Sequence, residues 1–138
     1  MTALLGPRQC GKTTLARSFG EGKNATYFDL ESRTDLRRLQ NPELVLGSIK
    51  GLAVLDEIQA MPELFNVLRV LADRPGNNTK FLILGSASPG IIRGVSETLA
   101  GRVEFVELSG FDLSETLSAD YETLWLRGGF PRSFLSAR

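Results

Sequence analysis

The sequence predicts an α/β domain, a three-layer sandwich built on a five-stranded, mostly parallel sheet. Three observations carry that prediction. Short apolar runs recur along the 138 residues, segments of helical character separate them, and two runs, "LAVL" and "FLIL", are continuous rather than alternating. Continuous runs mark strands covered on both faces, and βαβ crossovers produce that cover by laying helices over a parallel sheet. With 42% hydrophobic and 23% charged residues, the chain is large enough to bury one core and too short for a second full domain.

Residue type and spacing give the elements in order. The first strand is Thr2 to Leu5, "TALL", and a helix from Gly11 to Phe19 follows a glycine-bearing turn. A second strand covers Thr26 to Leu30, with a short helix near Thr34 to Leu39. Asn41-Pro42 opens a helix that runs to Ile49, because proline at the first helical position gives up an N–H that lacks a helical partner anyway. The third strand is Leu52 to Leu55, and Met61-Pro62 begins a helix to Asp73 on the same logic. "RPGNN" is a loop into the fourth strand, Phe81 to Leu84. Ser88 caps a helix from Pro89 to Leu99, and Val103 to Leu108 is the fifth strand. No internal repeat or low-complexity tract interrupts this alternation.

Composition excludes several classes of function. Sixteen Lys and Arg balance sixteen Asp and Glu, so overall charge argues for neither nucleic acid nor membrane as partner. One cysteine, Cys10, excludes an internal disulfide framework, and no apolar stretch has the length of a membrane span or a signal peptide. The cytoplasm is the default compartment. With no histidine, the usual general base and the commonest metal ligand are both missing.

The stretch "GPRQCGKTT", Gly6 to Thr14, carries the chemistry. Gly6, Gly11, Lys12 and Thr13 fit the phosphate-loop pattern G-x-x-x-x-G-K-[ST], and they stand between an expected strand and an expected helix, the context that pattern requires. A di- or triphosphate needs many donors at close range, and curled main-chain N–H groups supply them only where side chains do not block the approach. Gly6, Pro7, Arg8, Gln9, Cys10 and Gly11 therefore form the candidate cradle. Lys12 neutralises the β and γ phosphates, the Thr13 hydroxyl holds Mg²⁺, and Thr14 packs or contacts the α phosphate. Arg8 either reaches a phosphate or is solvated. Cys10 fills a small apolar slot, or, beside a lysine and a helix start, is an oxidisable thiol.

Two further strand ends add to the loop. "LAVLDEIQ" places Asp56 and Glu57 at the C-terminal end of a buried strand, where open α/β sheets put their sites. Asp56 would share Mg²⁺ through water, and Glu57 would polarise an attacking water; the bland alternative is that both begin a loop and cap the next helix. Gln59 orients water or a neighbour, or is simply a solvated loop residue. "FLILGSAS" ends in small polar residues, of which Ser86 is the candidate for contact with the γ-phosphate or the lytic water; a hydroxyl bonded within its own turn is the alternative.

In this order, "GPRQCGKTT", "LDEIQ", "GSAS" and "LAGR" resemble the AAA-like ATPase domain of a bacterial and archaeal family, and the likeness continues through "LAGRVEFVELSGFDLSE" and "LRGGFPRSFL". The resemblance implies a P-loop NTPase fold of the AAA type, with strand order 5-1-4-3-2, ATP and Mg²⁺ as ligands, and nucleotide, magnesium, water-activating and sensing roles for Lys12, Thr13, Asp56, Glu57 and Ser86. It also places an arginine at Arg102. That side chain either reaches a γ-phosphate, which is worth roughly three to five powers of ten in rate, or is solvated and balances Glu104. Two positions depart from the family pattern: Cys10 stands where valine is common, and alanine interrupts the serine-rich run of "GSAS".

Members of that family continue into a helical or winged-helix lid and a nuclease-like domain. The expected organisation is therefore an ATPase core at residues 1–120 and the start of a truncated lid region at 121–138, in a fragment whose effector domain is missing. A homo-oligomer stays open. Arg33, Arg37 and Arg38 form a small basic face that either touches nucleic acid or is a solvated helix face. The leading expectation is an ATP-hydrolysing domain; the alternative is a nucleotide-binding switch with little turnover. The sequence lacks the N-K-x-D guanine reader, and a carboxylate directly after Asp56 favours water over a kinase acceptor.

Overall fold

The computed structural model describes residues 1–116 and 121–136. Five strands, β1 (Thr2–Leu5), β2 (Ala25–Asp29), β3 (Leu52–Asp56), β4 (Lys80–Gly85) and β5 (Glu104–Glu107), form one sheet in the order β2-β3-β4-β1-β5. That is the expected 5-1-4-3-2 order read from the other edge. Every pairing is parallel, so the sheet is wholly rather than mostly so.

The central strands behave as their continuous apolar runs require. Ala53, Val54 and Leu55 of β3 and Ile83 and Leu84 of β4 are completely buried, because each face of the sheet meets a different apolar layer. On one face lie α3 (Pro42–Ser48), α4 (Leu64–Asp73) and α5 (Pro89–Thr98). Leu64, Phe65, Leu68 and Leu71 of α4, at helical spacing, meet Leu55, Ile83 and Ala3 there. The other face has a smaller cluster, in which Ala16 of α1 (Lys12–Gly20) covers Leu4, Val54 and Leu84. A short helix, α2 (Arg33–Arg38), follows β2, and α6 (Tyr121–Arg127) and α7 (Pro131–Phe134) follow β5.

Most boundaries fall within one residue of expectation, inside the ordinary margin for element ends. The helix expected from Pro62 is an exception with a physical cause. Residues Ile58–Ala60 form a separate 3₁₀ turn, and Leu64, Phe65 and Asn66 donate to the carbonyls three residues back, so this entry is too tight for α-helical geometry and α4 begins at Leu64. Ser88 stands at the N-cap of α5, but its side chain makes no capping bond; Asn41 does cap α3, accepting from the Leu44 N–H at 3.3 Å. The fifth strand is shorter than expected. It is an edge, and all four of its residues are exposed.

Candidate functional site

The C-terminal ends of β1, β3 and β4 converge at one rim of the sheet, and the loop Gly6–Gly11 sits there between β1 and α1, whose first residues are Lys12 and Thr13. Gly6 must lack a side chain. A Cβ at that position would lie 2.1 Å from the Leu108 carbonyl oxygen, so only glycine lets the chain leave β1 along this path. Gln9 and Gly11 take positive φ, 66° and 101°, and these two left-handed residues curl the segment into a loop. Among the described residues, the main-chain amides from Arg8 to Gly11 donate to no main-chain carbonyl. They are orphan donors gathered at the start of a helix, the arrangement that binds anions.

Lys12 is buried, only 6% exposed, and its ammonium folds back into the loop. It donates to the carbonyls of Gly6 at 3.0 Å and Pro7 at 2.7 Å, and lies 3.9 Å from the Cys10 sulfur. A buried ammonium needs such partners. Cys10 is itself buried, which agrees with the slot-filling alternative. Arg8 is exposed and pairs with Glu31 at 3.5 Å; Gln9 and Thr14 are exposed at the loop's outer side.

Asp56 and Glu57 leave β3 beside the loop. The Thr13 hydroxyl donates to Asp56 Oδ2 at 2.6 Å, which joins the two residues expected to share a cation although they are 43 positions apart. Glu57 adopts φ 57° and ψ 49°, a left-handed conformation uncommon for a residue with a side chain, and its N–H donates to Asp56 Oδ1 at 2.9 Å. The Gln59 amide then spans two strands: Nε2 donates to Glu57 Oε2, while Oε1 accepts from the Ser86 N–H at 3.4 Å. Ser86 is thus next to Glu57's partner through its main chain, and its hydroxyl makes no bond among the described residues.

The structure does not bring Arg102 to this rim. Arg102 precedes β5, whose first residue pairs with Thr2 at the opposite end of β1 from the loop. Its guanidinium is held by Asp73 in a two-point pair, Nε to Oδ1 at 2.7 Å and Nη2 to Oδ2 at 2.8 Å, and donates to the Ala100 carbonyl at 2.8 Å. The bridging partner is Asp73, not Glu104. Hydrogen bonding and the nearby charge of Arg102 hold the Asp73 carboxyl below its ordinary value of 3.8. The pair's contribution is therefore complete above the ordinary carboxylate range and is lost as pH falls through the lowered value. Arg102→Ala is expected to flatten that acidic part of the stability curve, read from thermal midpoints between about pH 5 and pH 2.

Sequence reasoning missed two other placements. Pro131 of α7 packs against the loop, its Cγ 3.7 Å from where a Gly11 Cβ would sit, and the Phe111 N–H donates to the Gly129 carbonyl at 2.7 Å to tie this segment back. "GGFPR" was visible, but nothing local says where it docks. The basic face of α2 is partly neutralised: Arg38 pairs with Asp35 at 2.8 Å and lies 4.6 Å from the centre of the Phe28 ring. A groove of about 770 Å³, lined by Leu4, Leu15, Phe19, Leu82 and Val106, lies on the α1 face and does not include the loop. Among the described residues, no helix is long and apolar enough to cross a membrane.

A parallel sheet in this order, with a glycine-bearing loop of free amides at one rim and a buried lysine within it, defines a P-loop NTPase-like nucleotide-binding domain. The chain belongs to the AAA domain family, whose model matches residues 1–117. It is also 53% identical over 131 residues to an uncharacterized protein of Mycobacterium bovis and to an uncharacterized protein of Mycobacterium tuberculosis. Those matches cover 95% of this chain and 30% of each relative, so the chain spans under a third of their length.

Proposed function

We propose that this domain binds ATP and hydrolyses it, with water attacking the γ-phosphate, as the ATPase core (residues 1–120) of a larger AAA-like protein whose lid begins at 121–138. The Thr13–Asp56 hydrogen bond supports this reading best, because it couples the phosphate loop to the carboxylate strand at the place a divalent cation would bridge. The donor set suits magnesium. That ion keeps several waters and is held by one or two protein oxygens together with substrate phosphates, so a hydroxyl and one carboxylate suffice. When bound there, it would neutralise charge on the phosphate oxygens.

The protein's own groups do the remaining work. The amides of the loop surround the β-phosphate, and Lys12 exchanges its two carbonyl partners for β and γ oxygens. Glu57, at the same rim, accepts a proton from water as that water approaches phosphorus. Ser86 stands at the γ-phosphate end of β4 as a sensing residue. Arg102 has no part in this chain's own site.

The test is nucleotide binding and phosphate release with and without magnesium, in the parent protein and in Asp56→Asn. Release is expected only with magnesium, and Asp56→Asn is expected to raise the magnesium concentration required by roughly an order of magnitude. Release that is indifferent to magnesium, or absent ATP affinity, would remove the proposal.

A further inference from the structure

We propose that Gln59 is a positioning residue for Glu57, a strap that sets the direction of its carboxylate from the end of the neighbouring strand. The inference rests on the hydrolysis reading above and deepens it. Its first support is the backbone. A left-handed backbone is strained for a residue that carries a Cβ, and such strain persists where surrounding contacts over-determine it. Here the tight turn after it supplies them: Ala60 N–H donates to the Glu57 carbonyl at 2.9 Å, and Ile58 is fully buried beneath.

The second support is how completely the Gln59 amide is used. Its NH₂ faces a carboxylate, which only accepts, and its oxygen faces the Ser86 N–H, which only donates, so the partners define the orientation of the amide. The third is Gly85. A Cβ there would lie 2.8 Å from Ile58 Cγ2 and 3.2 Å from Gln59 Oε1, so the end of β4 is bare where this turn closes onto it. One Glu57 oxygen is thereby tied to the amide and the other is left for water. Any shift of the β4 end on nucleotide binding moves the Gln59 oxygen, and with it Glu57.

The test is steady-state phosphate release for Gln59→Met, Gln59→Glu and Glu57→Gln, with folding checked by circular dichroism. Gln59→Met keeps the shape and removes both bonds; kcat is expected to fall roughly tenfold to a hundredfold with KM for ATP within about twofold, since orientation is lost and no phosphate contact is. Gln59→Glu keeps the size and the acceptor for the Ser86 N–H but replaces the donor to Glu57 with a like charge, and kcat is expected to fall at least as far, again with KM little changed. A packing role alone would leave Gln59→Glu, which fills the same space, at the parent kcat. Should Gln59→Met fail to fold, Gln59→Glu decides. Parent-like kcat in Gln59→Glu overturns the positioning role, provided Glu57→Gln is inactive. If Glu57→Gln instead turns over like the parent, the hydrolysis reading itself fails and this inference fails with it.

Discussion

Glu57→Gln is expected to reduce phosphate release by about two to four powers of ten, while ATP affinity stays within about threefold. The substitution keeps volume and keeps an oxygen able to accept from the Gln59 amide, so the turn around Ile58 survives. What disappears is the negative charge and the basic lone pair that a water molecule needs as it approaches phosphorus. In the proposed binding mode the phosphates meet the loop amides and Lys12 and not Glu57, so binding has no reason to change. Single-turnover release and equilibrium titration, run on the same preparation, separate the two effects. Equal release from parent and variant would leave a nucleotide-binding switch as the standing alternative.

Lys12→Ala is expected to weaken ATP binding by roughly tenfold to a hundredfold, because charge-assisted hydrogen bonds to phosphate are each worth about 1.5–3 kcal/mol. The starting position of the ammonium matters. It already bonds two loop carbonyls, so binding exchanges neutral acceptors for charged ones instead of desolvating a free cation. Alanine removes both the exchange and the support of the Gly6 and Pro7 carbonyls, and the loop loses its internal fill. Titration calorimetry with a non-hydrolysable ATP analogue checks the affinity, and a melting curve checks the loop's share of stability. Unchanged affinity would refute nucleotide binding at this loop, whatever the turnover.

Much of this site was legible because its determinants are local. The loop is legible as glycines at fixed spacing before a lysine; Gly11 answers to a local dihedral, φ 101°, while the Leu108 carbonyl that bars a side chain at Gly6 comes from the far end of the chain and could not be read from the loop itself. Asp56 and Glu57 were placed by the apolar run before them, since a buried strand has to end where its first charges appear. Gln59 was legible only as one of two alternatives. Its partner Ser86 is 27 residues away, and only the side-by-side pairing of β3 with β4 makes them neighbours. Arg102 was misplaced for a related reason: an arginine before a strand has a known position along the chain but an unknown end of the sheet.

The sequence by itself determined a parallel α/β sheet, a phosphate-type loop after the first strand and a carboxylate pair after the third, because hydrophobic run length and glycine spacing act over a few residues. Strand order entered only through resemblance to a family, since periodicity does not rank strands. The tertiary structure alone decided which strand ends share a rim. It brought Thr13 to Asp56, Gln59 to Ser86 and Pro131 to Gly11, and it sent Arg102 to Asp73 at the opposite end of the strands. Those pairings depend on the register and direction of strands far apart in sequence, which the packing of the whole core decides.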